Sequence, residues 1–257
     1  MAKKNAPASR RANNYQKLEP ISLYDSDLND IAEEMTSGGN ITTMNIQYRH
    51  PIEGLHEEML SKVRNPKTNV VFADGPAGTA KTYIAVLGAL ELLKSKRVKK
   101  IIYVRSLAES ADKSIGSLPG DLDDKFQPWK LPLIEKLSEV LPREDVTHLL
   151  SSNIIECIPV NYVRGLTFRN TCVIIDEAQN MSYNEIQSVL TRFGNKSTYI
   201  IIGDQRQQDI RNSGFVSILN KFNDTKDEDN GIHQIRFTDK HVKRSKILKY
   251  IVSKLDS

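Results

Sequence analysis

The stretch Asp74–Thr82 contains the residue types and the spacing that bind phosphate groups. Its sequence, Asp-Gly-Pro-Ala-Gly-Thr-Ala-Lys-Thr, lies between a short apolar run and a longer apolar segment of good helix formers. Backbone N–H groups of such a loop point at one spot, where the dipole of the following helix adds positive potential. We expect Lys81 to reach the β- and γ-phosphates of a nucleotide and the Thr82 hydroxyl to bind Mg²⁺. The predicted nucleotide-binding residues are Gly75, Pro76, Ala77, Gly78, Thr79, Ala80, Lys81 and Thr82.

Ala80 departs from the usual pattern of a phosphate loop. That pattern is a glycine, four residues, a second glycine, and then lysine followed by serine or threonine. Ala80 occupies the position of the second glycine. Its methyl group narrows the backbone choices, and it could either weaken phosphate contact or be accommodated.

A second stretch, Thr171–Glu177, is a continuous apolar run that ends in two acids. Such a run is typical of a strand buried on both faces of a parallel sheet. Asp176 is the predicted magnesium ligand, and Glu177 is predicted to polarise a water for attack on the γ-phosphate. The alternative is that Asp176 only caps a helix.

A third stretch, Gly203–Asp209, follows another apolar run. A glutamine just beyond the end of a strand can contact a γ-phosphate and report its presence, whereas the alternative is an ordinary polar loop.

These residues require strands and helices that alternate along the chain. The pattern predicts strands at 70–73, 100–104, 154–158, 171–175, 198–202 and 232–237. It predicts helices from Pro51 to about residue 63, at 83–93, at 125–140 with interruptions at Pro128 and Pro132, at 184–193, and at 240–255. This alternation predicts an α/β fold with a mainly parallel sheet, in which ligands collect at the carboxyl ends of the strands.

The 257-residue chain has a net charge of +4 that is distributed unevenly. Residues 1–17 carry five basic residues and no acidic one, residues 239–257 carry six basic and two acidic ones, and the rest of the chain has a net charge of −5. Basic ends suit phosphate backbones or acidic partners. We interpret residues 1–40 as a basic, polar arm that includes a short acidic helix near 28–35. Residues 41–257 form the predicted main domain, which includes a turn-rich insertion at 115–121.

Nothing in the sequence predicts export or a membrane span. Cys157 and Cys172 lie in apolar surroundings without metal-ligand spacing, so we expect free thiols in a reducing cytoplasm. No apolar run approaches the length of a membrane span, and no secretory signal is present. We therefore expect a cytoplasmic protein.

Five motifs follow one another along the chain. They are Gly-Pro-Ala-Gly-Thr-Ala-Lys-Thr-Tyr at 75–83, Ile-Gly-Ser-Leu-Pro-Gly-Asp-Leu at 115–122, Tyr-Val-Arg-Gly at 162–165, Val-Ile-Ile-Asp-Glu-Ala-Gln-Asn at 173–180, and Gly-Asp-Gln-Arg-Gln-Gln-Asp at 203–209, followed by Ser-Gly-Phe at 213–215. In this order they resemble the PhoH family of P-loop ATPases. The resemblance covers about residues 45–255, and it is to a short, stand-alone version such as bacteriophages carry, in which case the compartment is the host cytoplasm. It implies a single RecA-like domain, similar to the ATPase core of superfamily 1 helicases.

The same resemblance assigns roles to three further residues. Gln207 matches the glutamine that senses the γ-phosphate, and Arg244 matches a late arginine of the site. Gln47 resembles the adenine-reading glutamine of helicases. Because helicases of that superfamily close ATP between two such folds and this chain has room for one, we expect an arginine supplied by a neighbouring subunit and a homo-oligomer, namely a hexameric ring.

Three functions remain as alternatives at this point. The first is a Mg²⁺-dependent ATP hydrolase that binds or remodels RNA or single-stranded nucleic acid. Tyr162 and Trp129 are its stacking candidates, although packing is the favoured role for both. The second is a nucleotide-dependent switch or scaffold that binds ATP, turns over little and has a protein partner. The third is a small-molecule kinase, against which the Asp-Glu pair argues.

Overall fold

The structure is a computed structural model that describes residues 41–106, 122–207, 210, 212–243 and 254. The predicted arm at 1–40, with its short helix, and the predicted turn at 115–121 lie outside the described residues. None of the described helices has the length and apolar character needed to cross a membrane.

A sheet of six strands forms the centre of the domain, in the order β3-β2-β4-β5-β1-β6. Every neighbouring pair in it is parallel. The strands are β1 (Val70–Asp74), β2 (Lys100–Arg105), β3 (Ile155–Pro159), β4 (Thr171–Ile175), β5 (Thr198–Gly203) and β6 (Ile232–Arg236). All residues of β1, β4 and β5 are buried, which is why these strands are largely apolar and do not alternate with polar residues.

Helices cover both faces of the sheet. They are α1 (Leu55–Arg64), α2 (Lys81–Lys94), α3 (Leu122–Val140), α4 (Arg143–Ser151), α5 (Tyr183–Leu190), α6 (Phe215–Lys221) and α7 (Thr225–Asp229). Apolar side chains of α1 to α4 pack on one face of the sheet, and those of α5 and α6 pack on the other. The predicted α/β fold with a mainly parallel sheet is confirmed.

All six predicted strands are present within a residue of their predicted ends, but the predicted interruptions of one helix and the predicted start of another are wrong. The helix α3 runs without interruption through Pro128 and Pro132. Its residues Leu133, Leu137 and Val140 are buried, and each contributes about 1.5–3 kcal/mol, which offsets the roughly 3 kcal/mol that an interior proline costs.

The predicted helix at 240–255 does not begin at Lys240. Residues Asp239–His241 form a 3₁₀ turn instead. The His241 ring accepts a hydrogen bond from the Thr238 backbone N–H at 3.0 Å, and the Lys243 N–H donates to the Gly78 carbonyl at 2.9 Å. Contact with the phosphate loop therefore replaces the first helical turn, and residues 244–253 lie outside the described residues.

Candidate functional site

The predicted phosphate loop connects the carboxyl end of β1 to the first turn of α2. Gly75 has φ 144°, and a Cβ atom there would lie 2.5 Å from the Phe237 carbonyl oxygen. Phe237 is anchored by its own N–H, which donates to the Asp74 carbonyl at 2.7 Å. Only glycine fits where the loop leaves the strand, because both the backbone conformation and the available space exclude a side chain.

Ala80 adopts the left-handed conformation that the missing glycine would take. Its φ and ψ are 61° and 22°, directly before Lys81 begins α2. The alanine is thus accommodated in a conformation that glycine adopts readily, at the conformational cost that an L-residue pays in this region.

The Lys81 ammonium group lies inside the loop. It donates hydrogen bonds to the carbonyl oxygens of Gly75 at 2.6 Å and Pro76 at 2.9 Å. Burial lowers the pKa of Lys81, while the surrounding carboxylates of Asp204, Asp176, Glu177 and Asp74 act to raise it. A buried ammonium held by neutral carbonyls can turn to a phosphate that offers it negative charge.

Thr82 and Asp176 meet at the carboxyl edge of the sheet, although they are 94 residues apart in sequence. The Thr82 hydroxyl donates to the Asp176 carboxylate at 3.2 Å. The Tyr103 hydroxyl, at the neighbouring strand β2, donates to the other Asp176 oxygen. Burial raises the pKa of Tyr103, so the hydroxyl stays protonated and fixes the orientation of Asp176.

Glu177 connects to the phosphate loop through a chain of hydrogen bonds. The Gln179 side-chain amide donates to the Glu177 carboxylate at 2.5 Å. The Gln179 oxygen accepts from the Asp204 N–H at 3.0 Å, and the Asp204 carboxylate accepts from the Ala77 N–H at 3.1 Å. Gln179 and Asp204 are 2% and 4% exposed, so this chain is shielded from water and fixes the position of the carboxylate.

Three of these supporting residues escaped the sequence analysis as individual site residues. Gln179 and Asp204 lay within the quoted motifs. Each follows the end of a strand, and this position could have indicated that they contribute to the site. His56 had no such signal, because it lies on α1. Its Nε2–H donates to the Thr79 carbonyl at 2.8 Å, and the ring packs against Phe237. These contacts stabilise the position of the phosphate loop.

A cavity of about 570 Å³ lies over the phosphate loop. Among the predicted site residues it is lined by Ala77, Gly78, Ala80, Lys81, Thr82, Asp176, Glu177 and Gln207. Gly75, Pro76 and Thr79 lie in the loop beneath it. The other described lining residues include His50, Pro51, Tyr83, Lys136, Glu139 and Lys243, which the sequence analysis did not select.

One predicted site residue is not brought to this cavity, and another lies outside the described residues. Gln47 does not line it, and its side-chain oxygen accepts hydrogen bonds from the Arg49 guanidinium at 3.1 and 3.2 Å. Arg244 lies outside the described residues. Its neighbour Lys243 lines the cavity.

The oxygen donors at Thr82 and Asp176 fit the chemistry of Mg²⁺. This ion prefers oxygen ligands and is held by one or two carboxylates together with phosphates and waters. In the described part of the chain there is no group of three or more His, Cys, Asp or Glu side chains that could hold a metal ion, and a magnesium–nucleotide site does not need one.

A family model described as PhoH-like protein matches residues 51–256. Among curated relatives, a PhoH-like protein of Bacillus subtilis is 42% identical over 157 residues, which are 61% of this chain and 48% of the relative. A PhoH-like protein of Mycobacterium tuberculosis is 35% identical over 71% of this chain and 51% of its own length. Protein PhoH of Escherichia coli is 37% identical over 65% of this chain and 48% of its own length. The chain thus spans about half the length of the curated relatives it matches.

The similarity to solved structures is slight. The Saccharomyces cerevisiae Hsp104–ADP complex aligns with 89% of this chain and 38% of its own, at 12% identity and a TM-score of 0.33. A DnaB-like replicative helicase aligns with 72% of this chain and 51% of its own, at 18% identity and a TM-score of 0.26. Scores this low bear on neither function nor assembly.

Proposed function

The chain belongs to the PhoH-like protein family, and on that premise we propose that it binds ATP with Mg²⁺ and hydrolyses it. Hydrolysis is proposed to be coupled to the binding or remodelling of RNA or single-stranded nucleic acid, in the cytoplasm. The observation that carries the proposal is the 3.2 Å contact between the Thr82 hydroxyl and the Asp176 carboxylate beside the buried Lys81. This contact joins the phosphate loop to the acidic strand end.

Each residue of the site has a role in this proposal. Loop N–H groups and Lys81 bind the β- and γ-phosphates, and Thr82 and Asp176 hold the magnesium ion. The ion, when bound, would supply positive charge that offsets the charge of the phosphates. Glu177 accepts a proton from the attacking water, and Gln207 at the cavity wall contacts the γ-phosphate.

Positioning by Gln179 is central to the step at Glu177. A carboxylate that activates water must be held within hydrogen-bond reach of it. The buried amide of Gln179 donates to one oxygen of Glu177 and so restricts the orientation of the carboxylate that is proposed to activate the water. The same glutamine accepts a hydrogen bond from the Asp204 backbone N–H. This contact fixes the loop that contains Gln207 relative to Glu177.

Charge and exposure support a nucleic-acid partner. The net positive charge is concentrated near the two ends of the chain, and contacts of basic residues with phosphates give salt-sensitive binding. The Tyr162 side chain is 58% exposed, so it is available for stacking rather than packed in the core. The side chain of Trp129 lies outside the described residues.

We also propose that the chain forms a homo-oligomer, as a hexameric ring in which an arginine of one subunit completes the site of the next. Among the described residues, none that lines the cavity is an arginine, and the cations there are Lys81, Lys136 and Lys243. An arginine supplied by another subunit accelerates phosphoryl transfer by roughly 10³–10⁵ in other nucleotide hydrolases. Sedimentation of a monomer alone, in the presence of ATP and Mg²⁺, would contradict the ring.

The alternative function is a nucleotide-dependent switch with little turnover and a protein partner, and the feature that favours it is Ala80 in place of the second glycine, directly before Lys81. Phosphate release from ATP and Mg²⁺ separates the two functions. We expect release that rises on addition of single-stranded RNA or DNA and is abolished by Lys81→Ala. Tight ATP binding with no release under any of these conditions would support the switch.

A further inference from the structure

The wall of the nucleotide cavity contains a group of side chains that the proposed phosphate chemistry does not use. Tyr83 follows Thr82 directly in α2, and His50 and Pro51 lie beside it. The His50 and Tyr83 rings are edge to face, with centroids 5.1 Å apart. The nucleoside of a bound nucleotide is joined to the α-phosphate, and the phosphate loop ends at Thr82. Tyr83 and the side chains that contact it are therefore within reach of the nucleoside.

The segment that carries His50, which we call the strap, comprises residues 44–52 and is fixed on both sides. The Gln47 N–H donates to the Val140 carbonyl at 2.8 Å, at the end of α3. The Tyr48 hydroxyl donates to the Glu91 carboxylate on α2 at 2.5 Å. Met44 is buried in the core. These contacts hold the exposed His50 ring at the rim of the cavity, while the Gln47 side chain is engaged with Arg49.

The Tyr83 hydroxyl is an independent indication of a ligand. Tyr83 is 3% exposed, and its hydroxyl has no hydrogen-bond partner among the described residues. Burial of a hydroxyl without a partner costs free energy. A ligand that carries polar atoms and enters this part of the cavity would supply the missing contact.

We infer that the nucleoside part of a bound adenine nucleotide lies against His50 and Tyr83, and that His50, rather than Gln47, contacts the base. This inference rests on the proposed function. Ligand pockets combine ring and apolar surface with a few polar groups that fix orientation, and here these are the His50 ring, Pro51 and the unpartnered hydroxyl. Stacking on the imidazole face stabilises the base, as aromatic contacts do elsewhere.

The test measures binding of two ligands by isothermal titration calorimetry in the presence of Mg²⁺. The ligands are ATP and inorganic tripolyphosphate, which has the phosphates but no nucleoside. His50→Ala is expected to weaken ATP about tenfold, which corresponds to about 1.4 kcal/mol, and to leave tripolyphosphate within about twofold of wild type. His50→Phe keeps a ring face and is expected to retain ATP affinity within about threefold, since stacking tolerates different rings.

Two neighbours on the strap provide matched comparisons. Arg49→Ala removes an exposed side chain that does not line the cavity, and it is expected to bind ATP as wild type does. Gln47→Ala tests the residue that the sequence predicted, and it is also expected to bind as wild type does. The inference is overturned if His50→Ala binds ATP with unchanged affinity, or if its affinity for both ligands falls equally. It is also overturned if Gln47→Ala weakens ATP binding and leaves tripolyphosphate binding unchanged.

Lys81→Ala separates this inference from the function on which it rests. If Lys81→Ala loses both ligands and His50→Ala loses neither, the assignment of the base is wrong and nucleotide binding stands. If Lys81→Ala binds both ligands as wild type does, the proposed nucleotide function itself fails.

Discussion

Replacement of Ala80 by glycine should stabilise the protein without a large change in its chemistry. The residue has φ 61° and ψ 22°, a region that costs an L-residue roughly 1–2 kcal/mol. Glycine avoids that cost but loses about 0.4–1 kcal/mol through the greater entropy of the unfolded chain. The net gain is about 0.5–1 kcal/mol, which corresponds to a rise in Tm of about 1–4 °C for a chain of this size.

The assay for Ala80→Gly is urea unfolding together with steady-state phosphate release. Because the loop already has the geometry that glycine would adopt, turnover should change by less than about threefold, equivalent to about 0.65 kcal/mol. Lys196→Gly is the matched control, since Lys196 is exposed, has φ 58° and lies outside the site. It should show a similar gain in stability and unchanged turnover.

Two outcomes would refute this reasoning. One is that Ala80→Gly destabilises the protein while Lys196→Gly stabilises it, which would mean that the Ala80 methyl group makes favourable contacts that outweigh its backbone strain. The other is a rise in turnover of tenfold or more in Ala80→Gly, which would show that the methyl group hinders phosphate contact.

Further predictions concern the loop, the general base and alkaline stability. Gly75→Ala should lower the free energy of unfolding by about 2–4 kcal/mol, measured in urea, because its Cβ would lie 2.5 Å from the Phe237 carbonyl; a loss under 0.5 kcal/mol would contradict that contact. Gln179→Ala should slow phosphate release about 10–100-fold by freeing Glu177, with ATP affinity unchanged in calorimetry; equal losses in rate and affinity would indicate a general structural role. Burial raises the pKa of the Cys157 thiol from 9.0 to about 11, so the unfolded chain loses that proton first and stability should fall as the pH rises from 9 to 11. Urea midpoints should fall less over this range in Cys157→Ala, and parallel curves would contradict the assignment.

Much of the fold was predictable because its strands are buried on both faces. The largely apolar runs that form β1, β4 and β5 fit the interior of a parallel sheet that is covered on both faces. Thr82 and Asp176, which were each predicted to bind Mg²⁺, lie close together because the carboxyl ends of parallel strands lie at one edge of the sheet.

The misses lie where tertiary contacts override a local pattern. Residues from Lys240 have helical spacing, but Lys243 donates its N–H to Gly78, and this contact depends on how β6 ends beside the loop. Pro128 and Pro132 suggested a broken helix, but the burial of the α3 residues that follow them keeps it continuous.

The remainder of the site was hidden from sequence for a similar reason. His50 and His56 carry no motif, and they reach the cavity only because the strap and α1 pack against α2. Gln47 was selected by resemblance, yet the path of the strap directs its side chain to Arg49. Spacing along a chain does not encode which of several neighbouring side chains faces a cavity.

Single-turnover phosphate release from pre-bound ATP and Mg²⁺, compared between wild type and Glu177→Gln, tests the central claim most directly. The variant keeps the shape of the side chain and removes its ability to accept a proton. The predicted result is ATP affinity within about twofold of wild type and a rate of release at least about 100-fold lower, within the range for the loss of a general base. Release at the wild-type rate by Glu177→Gln would contradict the assignment of Glu177 and the hydrolytic mechanism built on it.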